Sequence, residues 1–361
     1  VDLLRLRHDG TTLVLDPRGG VPSIVHAGAD PGALSEATDA LLDRPQPPAS
    51  LDAEPPVTLV PTAASGFPGP PGIECHRASG PLFPRLRDGT WSATKRSCAF
   101  DVHDAESGVR LTGRLRLDDL VTVDLTLTNT ADEPLFLDRL AVTVPVSAGC
   151  DEVLRLIGGW CREFQPTRLP WSTGTQVVES RRGRTSHDAV PVVFCGPTGF
   201  GEHHGDVVGM HLAWSGNHQV RLDRLADGRR FVQAGEVLVP GEVVLGPGEQ
   251  YSTPTVLIAT GIGLTACSRR LHRHIRRSQP DRPRPVLLNT WEAVYFDQDL
   301  ETLRALADRA AAVGVERFVL DDGWFGGRRD DTAGLGDWWV SPDAHPDGLT
   351  PLIEHVTGLG M

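Results

Sequence analysis

Two adjacent carboxylates, Asp321 and Asp322, follow directly on the apolar run Phe318-Val-Leu320 and precede Gly323 and Trp324. A second apolar run, Val286-Leu-Leu288, stops in the same way at Asn289, Thr290, Trp291 and Glu292. Paired carboxylates can each accept hydrogen bonds from neighbouring hydroxyls, and a site built on such bonds rejects a molecule that lacks them. The indoles of Trp291 and Trp324 add flat apolar faces with a polar edge left for water. Structural roles compete with these readings. An Asp after a strand can cap the next helix or turn a loop, and Trp is mostly buried. Asn289, Glu292 and Asp337 read as groups that orient the others.

Such residues need elements to hold them. Each run is short enough for a strand, and Leu300, Leu303, Ala307, Ala310 and Val313 share one face of a helix between them. The order is strand, site residues, helix, strand, site residues. A (β/α)8 barrel builds its active site in this way, at the carboxyl ends of its strands. The spacing predicts strands at Val286–Leu288 and Phe318–Leu320, and helices at Leu300–Val313 and Leu349–Leu359. Upstream the pattern changes. Val109, Leu111, Leu115 and Leu117, then Val121, Val123, Leu125 and Leu127, alternate with polar or small residues, and Leu135, Leu137, Leu140, Val142 and Val144 resume after a turn. Period-two alternation marks antiparallel strands of a sandwich. Last strands are expected from Tyr251 to Ala259, and a helix from Gly263 to Arg277. A short helix is expected at Leu34–Leu42, followed by a proline-rich loop, and Gly66–Gly72 reads as a second loop. The expected organisation is a β-supersandwich at 1–262, a connecting helix and linker at 263–285, and the start of a barrel at 286–361.

The ordered set Asn289-Thr-Trp-Glu-Ala-Val-Tyr-Phe-Asp297, Phe318-Val-Leu-Asp-Asp-Gly-Trp-Phe325, Leu335-Gly-Asp-Trp338 and Pro346-Asp-Gly-Leu-Thr-Pro-Leu352 resembles glycoside hydrolase family 36, the bacterial α-galactosidases. Gly159-Trp-Cys-Arg-Glu-Phe164, Glu179–His187 and Trp214-Ser-Gly-Asn217 are similar to signatures of that family's N-terminal β domain. The resemblance implies retaining hydrolysis of terminal α-galactosides such as melibiose and raffinose, without metal, nucleotide or other cofactor. It implies that Asp321 and Asp322 hold galactose hydroxyls and that Trp291 stacks on the sugar, with Trp324 either doing the same or packing under the loop. Relatives that act as α-N-acetylgalactosaminidases or galactosyl transferases are the alternatives, beside a non-catalytic sugar-binding sandwich.

A retaining glycosidase needs two carboxylates ~5–5.5 Å apart on opposite sides of the sugar. Asp321 and Asp322 are neighbours on one loop and cannot flank an anomeric carbon. The family's nucleophile lies in a Lys-Trp-Asp-Met-Asn-Arg motif that does not occur here, so no catalytic residue is assigned. A closed barrel takes roughly 250 residues, and only 286–361 follow the linker. The expectation is the front end of a longer enzyme, homo-oligomeric when whole, with the 361-residue chain inactive by itself.

A net charge of −12 argues against a nucleic-acid groove. No run approaches the ~18 apolar residues of a membrane helix, and no signal peptide is visible. The six cysteines lack metal-ligand spacing and read as buried free thiols of a reducing, cytoplasmic compartment. Ser186-His187-Asp188 spells a triad that adjacent residues cannot form. His203-His204 and His272 with His274 lack partners for a metal. The arginines of 181–184 are expected to pair with acidic neighbours.

Overall fold

The computed structural model describes residues 3–33 and 53–361, with Leu42, Gln46, Pro48 and Ala49 between them. Apart from Leu42, the helix expected at Leu34–Leu42 and most of the proline-rich loop after it lie outside the described residues. Two compact units result, Val1–Ser278 and Gln279–Met361.

The first unit is mostly β. Its largest sheet has ten strands. Toward one end of it Ser97–Asp104, Val109–Leu117 and Val121–Asn129 form an antiparallel meander. Every second residue from Val109 to Leu117 and from Val121 to Asn129 is buried. The register sets Leu111 opposite Leu127 and Leu115 opposite Val123, so the buried sets coincide on one face. Between them Gly113 leaves space for a ring, since a Cβ there would lie 2.2 Å from Cε1 of Phe100.

The run expected to resume at Leu135 divides into two strands in two different sheets. Leu135–Leu140 pairs with Ile73–Arg77, whereas Val142–Val146 pairs with Arg230–Glu236. A register shift between Leu137 and Arg139 explains why the apolar residues change from odd to even numbers. Leu137, Val142 and Val144 still join Leu111, Leu125, Val220 and Leu222 in one core. The last strands also divide, into Gln250–Ser252 and Val256–Ile262.

Helix α1, Gly263–Arg276, closes this unit by burying Cys267 beside Phe200, Val207 and Ala259. Arg270 and Arg273 of α1 and the following Arg277 bind the turn at Asp118 and Asp119. The loop at Gly66–Gly72 carries Phe67 into a tilted contact with Phe231, ring centroids 5.5 Å apart.

The cysteines require one correction. Five of the six are buried, but Cys161 is exposed. It occupies the two-residue tip of the hairpin Glu152–Gly159/Arg162–Pro170 with φ +57, where the turn leaves its side chain no neighbouring layer. Burial pushes the thiols of Cys98, Cys150 and Cys267 up to about 11 and that of Cys75 to about 12, so they stay protonated.

In the second unit Leu287–Asn289 and Arg317–Val319 run parallel, with Asn289 opposite Val319. Between them come the one-turn helix α2, Trp291–Val294, and helix α3, Leu300–Ala312. Parallel neighbours need such a crossover. The Asp299 side chain caps α3 by accepting from the Thr302 amide at 2.9 Å, and Leu303, Ala307 and Ala310 form its buried face. Helix α4, Thr350–Gly358, follows a long loop and turns Leu352 inward. No helix among the described residues is long and apolar enough to cross a membrane.

Candidate functional site

The parallel pairing carries both strand ends to one place. Asn289 ends the first strand, and Asp321 follows the second after one intervening residue. Asn289 Nδ2 donates to Asp321 Oδ2 at 2.5 Å, while its Oδ1 accepts from the Trp291 amide at 2.8 Å. The amide therefore has one orientation. The buried hydroxyl of Thr290 accepts from the Asp321 amide at 3.1 Å and ties the two strand ends together again.

The two carboxylates are held by different groups. Asp321 Oδ1 accepts from the Asp322 amide at 2.7 Å. Asp322 Oδ2 accepts from Nε of Arg328 at 2.9 Å. Beneath them Gln298, 4% exposed, donates from Nε2 to the carbonyl oxygens of both Asp321 and Asp322. Gly323 is needed beside that clamp. It has φ +104, and a Cβ there would sit 3.2 Å from both the Gln298 side chain and the Phe296 backbone.

Trp291 is half-buried at the start of α2, and its ring meets the edges of Tyr295 at 5.2 Å and Phe296 at 5.0 Å. Tyr295 ends α2 at φ 47 and ψ −118, a conformation that a bulky residue adopts only when its surroundings impose it. Trp324, also half-buried, packs at 5.1 Å on Phe325, so the two indoles belong to separate ring groups. Of the three orienting candidates, Asn289 contacts the acid pair. Glu292 instead accepts from the Tyr295 hydroxyl at 3.1 Å. Asp337 packs on Gly326, where a Cβ would come within 2.7 Å of its own.

Thr290 stood inside the Asn289–Asp297 motif without a role, Gln298 and Arg328 lay outside the motifs, and none of the three was among the expected site residues. The one local signal was Gln298 standing directly before the capping Asp299. The arrangement can accept hydrogen bonds from adjacent hydroxyls beside an aromatic wall, and no metal-holding group occurs among the described residues.

The features set aside from sequence also have structural partners. Ser186 donates directly to Asp188, which leaves His187 outside that contact. Arg181 pairs with Glu179 at 2.5 Å and Arg182 with Asp188 at 3.3 Å.

Residues 20–246 match the glycosyl hydrolase family 36 N-terminal domain, and residues 250–361 match melibiase. An alpha-galactosidase of Escherichia coli is 40% identical over 329 residues, 89% of this chain and 46% of that protein. Alpha-galactosidase AgaA of Geobacillus stearothermophilus is 37% identical over 252 residues, 67% of this chain and 34% of that protein. This chain thus spans less than half the length of these curated relatives. The AgaA crystal structure superposes with a TM-score of 0.86 at 28% identity, over 100% of this chain and 55% of that one. A variant of AgaA has been crystallised in complex with raffinose, and it superposes equally well at 27% identity over the same shares.

Proposed function

Because the chain belongs to glycosyl hydrolase family 36, we propose that the whole protein is an α-galactosidase. It removes terminal non-reducing α-D-galactose, with retention, from oligosaccharides such as melibiose and raffinose. The observation that carries this reading is the Asp321–Asp322 pair, oriented at a strand end by Asn289 and Arg328. In this reading both acids accept galactose hydroxyls. Trp291 lays its indole against the C–H face of the sugar, and Trp324 forms a second apolar wall. The names of the relatives favour galactoside hydrolysis over N-acetylgalactosamine removal or galactosyl transfer.

Gln279–Met361 supplies the first two β/α units of a (β/α)8 barrel in this proposal. The parallel pair with its helical crossover supports this, as do the 58% and 49% exposures of Val286 and Leu287. Parallel strands are normally covered on both faces. Double displacement needs carboxylates on opposite faces of the sugar. Neighbours on one loop do not meet that need, so the acid pair binds and the displacement is assigned to no residue of this chain. The reading requires neither metal nor nucleotide. Free cysteines support a reducing compartment, and we place the whole protein in the cytoplasm as a homo-oligomer.

The test is hydrolysis of an aryl α-galactoside and of raffinose by the whole protein, with NMR observation of the first anomer released. The α-anomer is expected first, and both Asp321→Asn and Asp322→Asn should lower kcat/KM by on the order of 10²-fold. A folded whole protein that cleaves no α-galactoside overturns the proposal.

A further inference from the structure

Asp321 and Asp322 are not held alike. Both oxygens of Asp321 are engaged, Oδ2 by Asn289 and Oδ1 by the amide of Asp322. Asp322 is engaged on Oδ2 alone, and its Oδ1 accepts no hydrogen bond among the described residues. The group that holds it, Arg328, is only 6% exposed although it lies in a surface loop. Its guanidinium carbon sits 5.5 Å from the centre of the Phe296 ring, and Nη1 donates to the Ala333 carbonyl at 2.7 Å. Gly334, at φ +85, lets the loop close over it, since a Cβ there would lie 3.0 Å from Arg328 Cβ. A buried cation is tolerated when it is paired and its donors are satisfied. The pairing of Nε with Asp322 and the bond of Nη1 to the Ala333 carbonyl fix Arg328, and Arg328 in turn fixes Asp322.

We propose that Arg328 is a positioning residue that turns Asp322 so that Oδ1 faces one sugar hydroxyl, and that it offsets the repulsion between the adjacent carboxylates. This rests on the galactoside reading and deepens it. Asp321 and Asp322 read two different hydroxyls, and Arg328 governs only the second. A lysine does not replace it fully, because one ammonium cannot reproduce the planar fork that reaches both Asp322 and the Ala333 carbonyl.

The experiment measures kcat and KM of the whole protein on α-galactosides that each lack one hydroxyl. Asp321→Asn and Asp322→Asn identify the hydroxyl each acid holds, as the one whose removal then costs least. In the wild type, loss of either hydroxyl should lower kcat/KM by on the order of 10²-fold. In Arg328→Met the penalty for the Asp322 hydroxyl should fall below about tenfold, while that for the Asp321 hydroxyl keeps its size. Arg328→Lys, which retains the charge and is the gentler change to the loop, should show an intermediate penalty at the same hydroxyl only. Unchanged penalties in both variants, or two penalties that collapse together, overturn the proposal while leaving the galactoside reading in place. A wild type indifferent to every hydroxyl overturns both.

Discussion

Asn289 uses both ends of its amide, accepting from Trp291 and donating to Asp321. An aspartate there has nearly the same shape but would set a second carboxylate 2.5 Å from Asp321 Oδ2. Like charges at that distance repel. Asn289→Asp should therefore weaken galactose binding more than Asn289→Ala, by about tenfold, in calorimetric titration of the whole protein. Equal affinities for the two variants at neutral pH would show that Asn289 merely fills space. Trp291→Ala should raise KM by roughly tenfold or more through the lost aromatic face, with a smaller change in kcat.

At the scale of elements, the alternation from Val109 to Asn129 was legible because each residue's face depends only on its parity. Legibility stopped at Leu137, where the bulge changed parity and sent the next strand to another sheet. The apolar residues of 135–146 do change from odd to even numbers, but that change does not say which sheet each half joins. Gly113 gives the meander a test. Gly113→Ala places a methyl group 2.2 Å from the Phe100 ring and should cost about 1–3 kcal/mol in denaturant unfolding. Gly159→Ala meets nothing within 4 Å and should stay within about 0.5 kcal/mol. In the loop before α4, burial and then the charge of Arg329 hold the His345 imidazole below its ordinary 6.5. The unfolded chain therefore takes up the proton first. The stabilising contribution of neutral His345 is complete above pH 6.5 and is lost as the pH falls through the lower, folded value. His345→Gln should flatten the acid side of the stability profile of the second unit, measured by thermal unfolding between pH 5 and 8.

For the molecule as a whole, accessibility separates one thiol from five. Peptide mapping after brief alkylation of the native protein should find Cys161 labelled first, with the five buried thiols reacting only on unfolding. Sequence could not make that distinction, because a cysteine in a hairpin tip and one in a core strand are the same letter. What the sequence did determine is the mostly β first unit, the parallel strand–helix–strand unit and the family. Each is written in patterns a few residues long, or in motifs that stand in order along the chain. Part of the candidate site was legible there too. Asp321 and Asp322 follow one apolar run directly and Trp291 stands three residues beyond the other, near the strand ends. Only the tertiary structure decided which groups hold them. Asn289 reaches Asp321 across 32 residues, and Gln298 reaches the same loop from the foot of α3. Arg328 returns to Asp322 only because its own loop folds back over Phe296. Periodicity is a property of neighbours in sequence, whereas the partner of a buried polar group is set by how loops close in space.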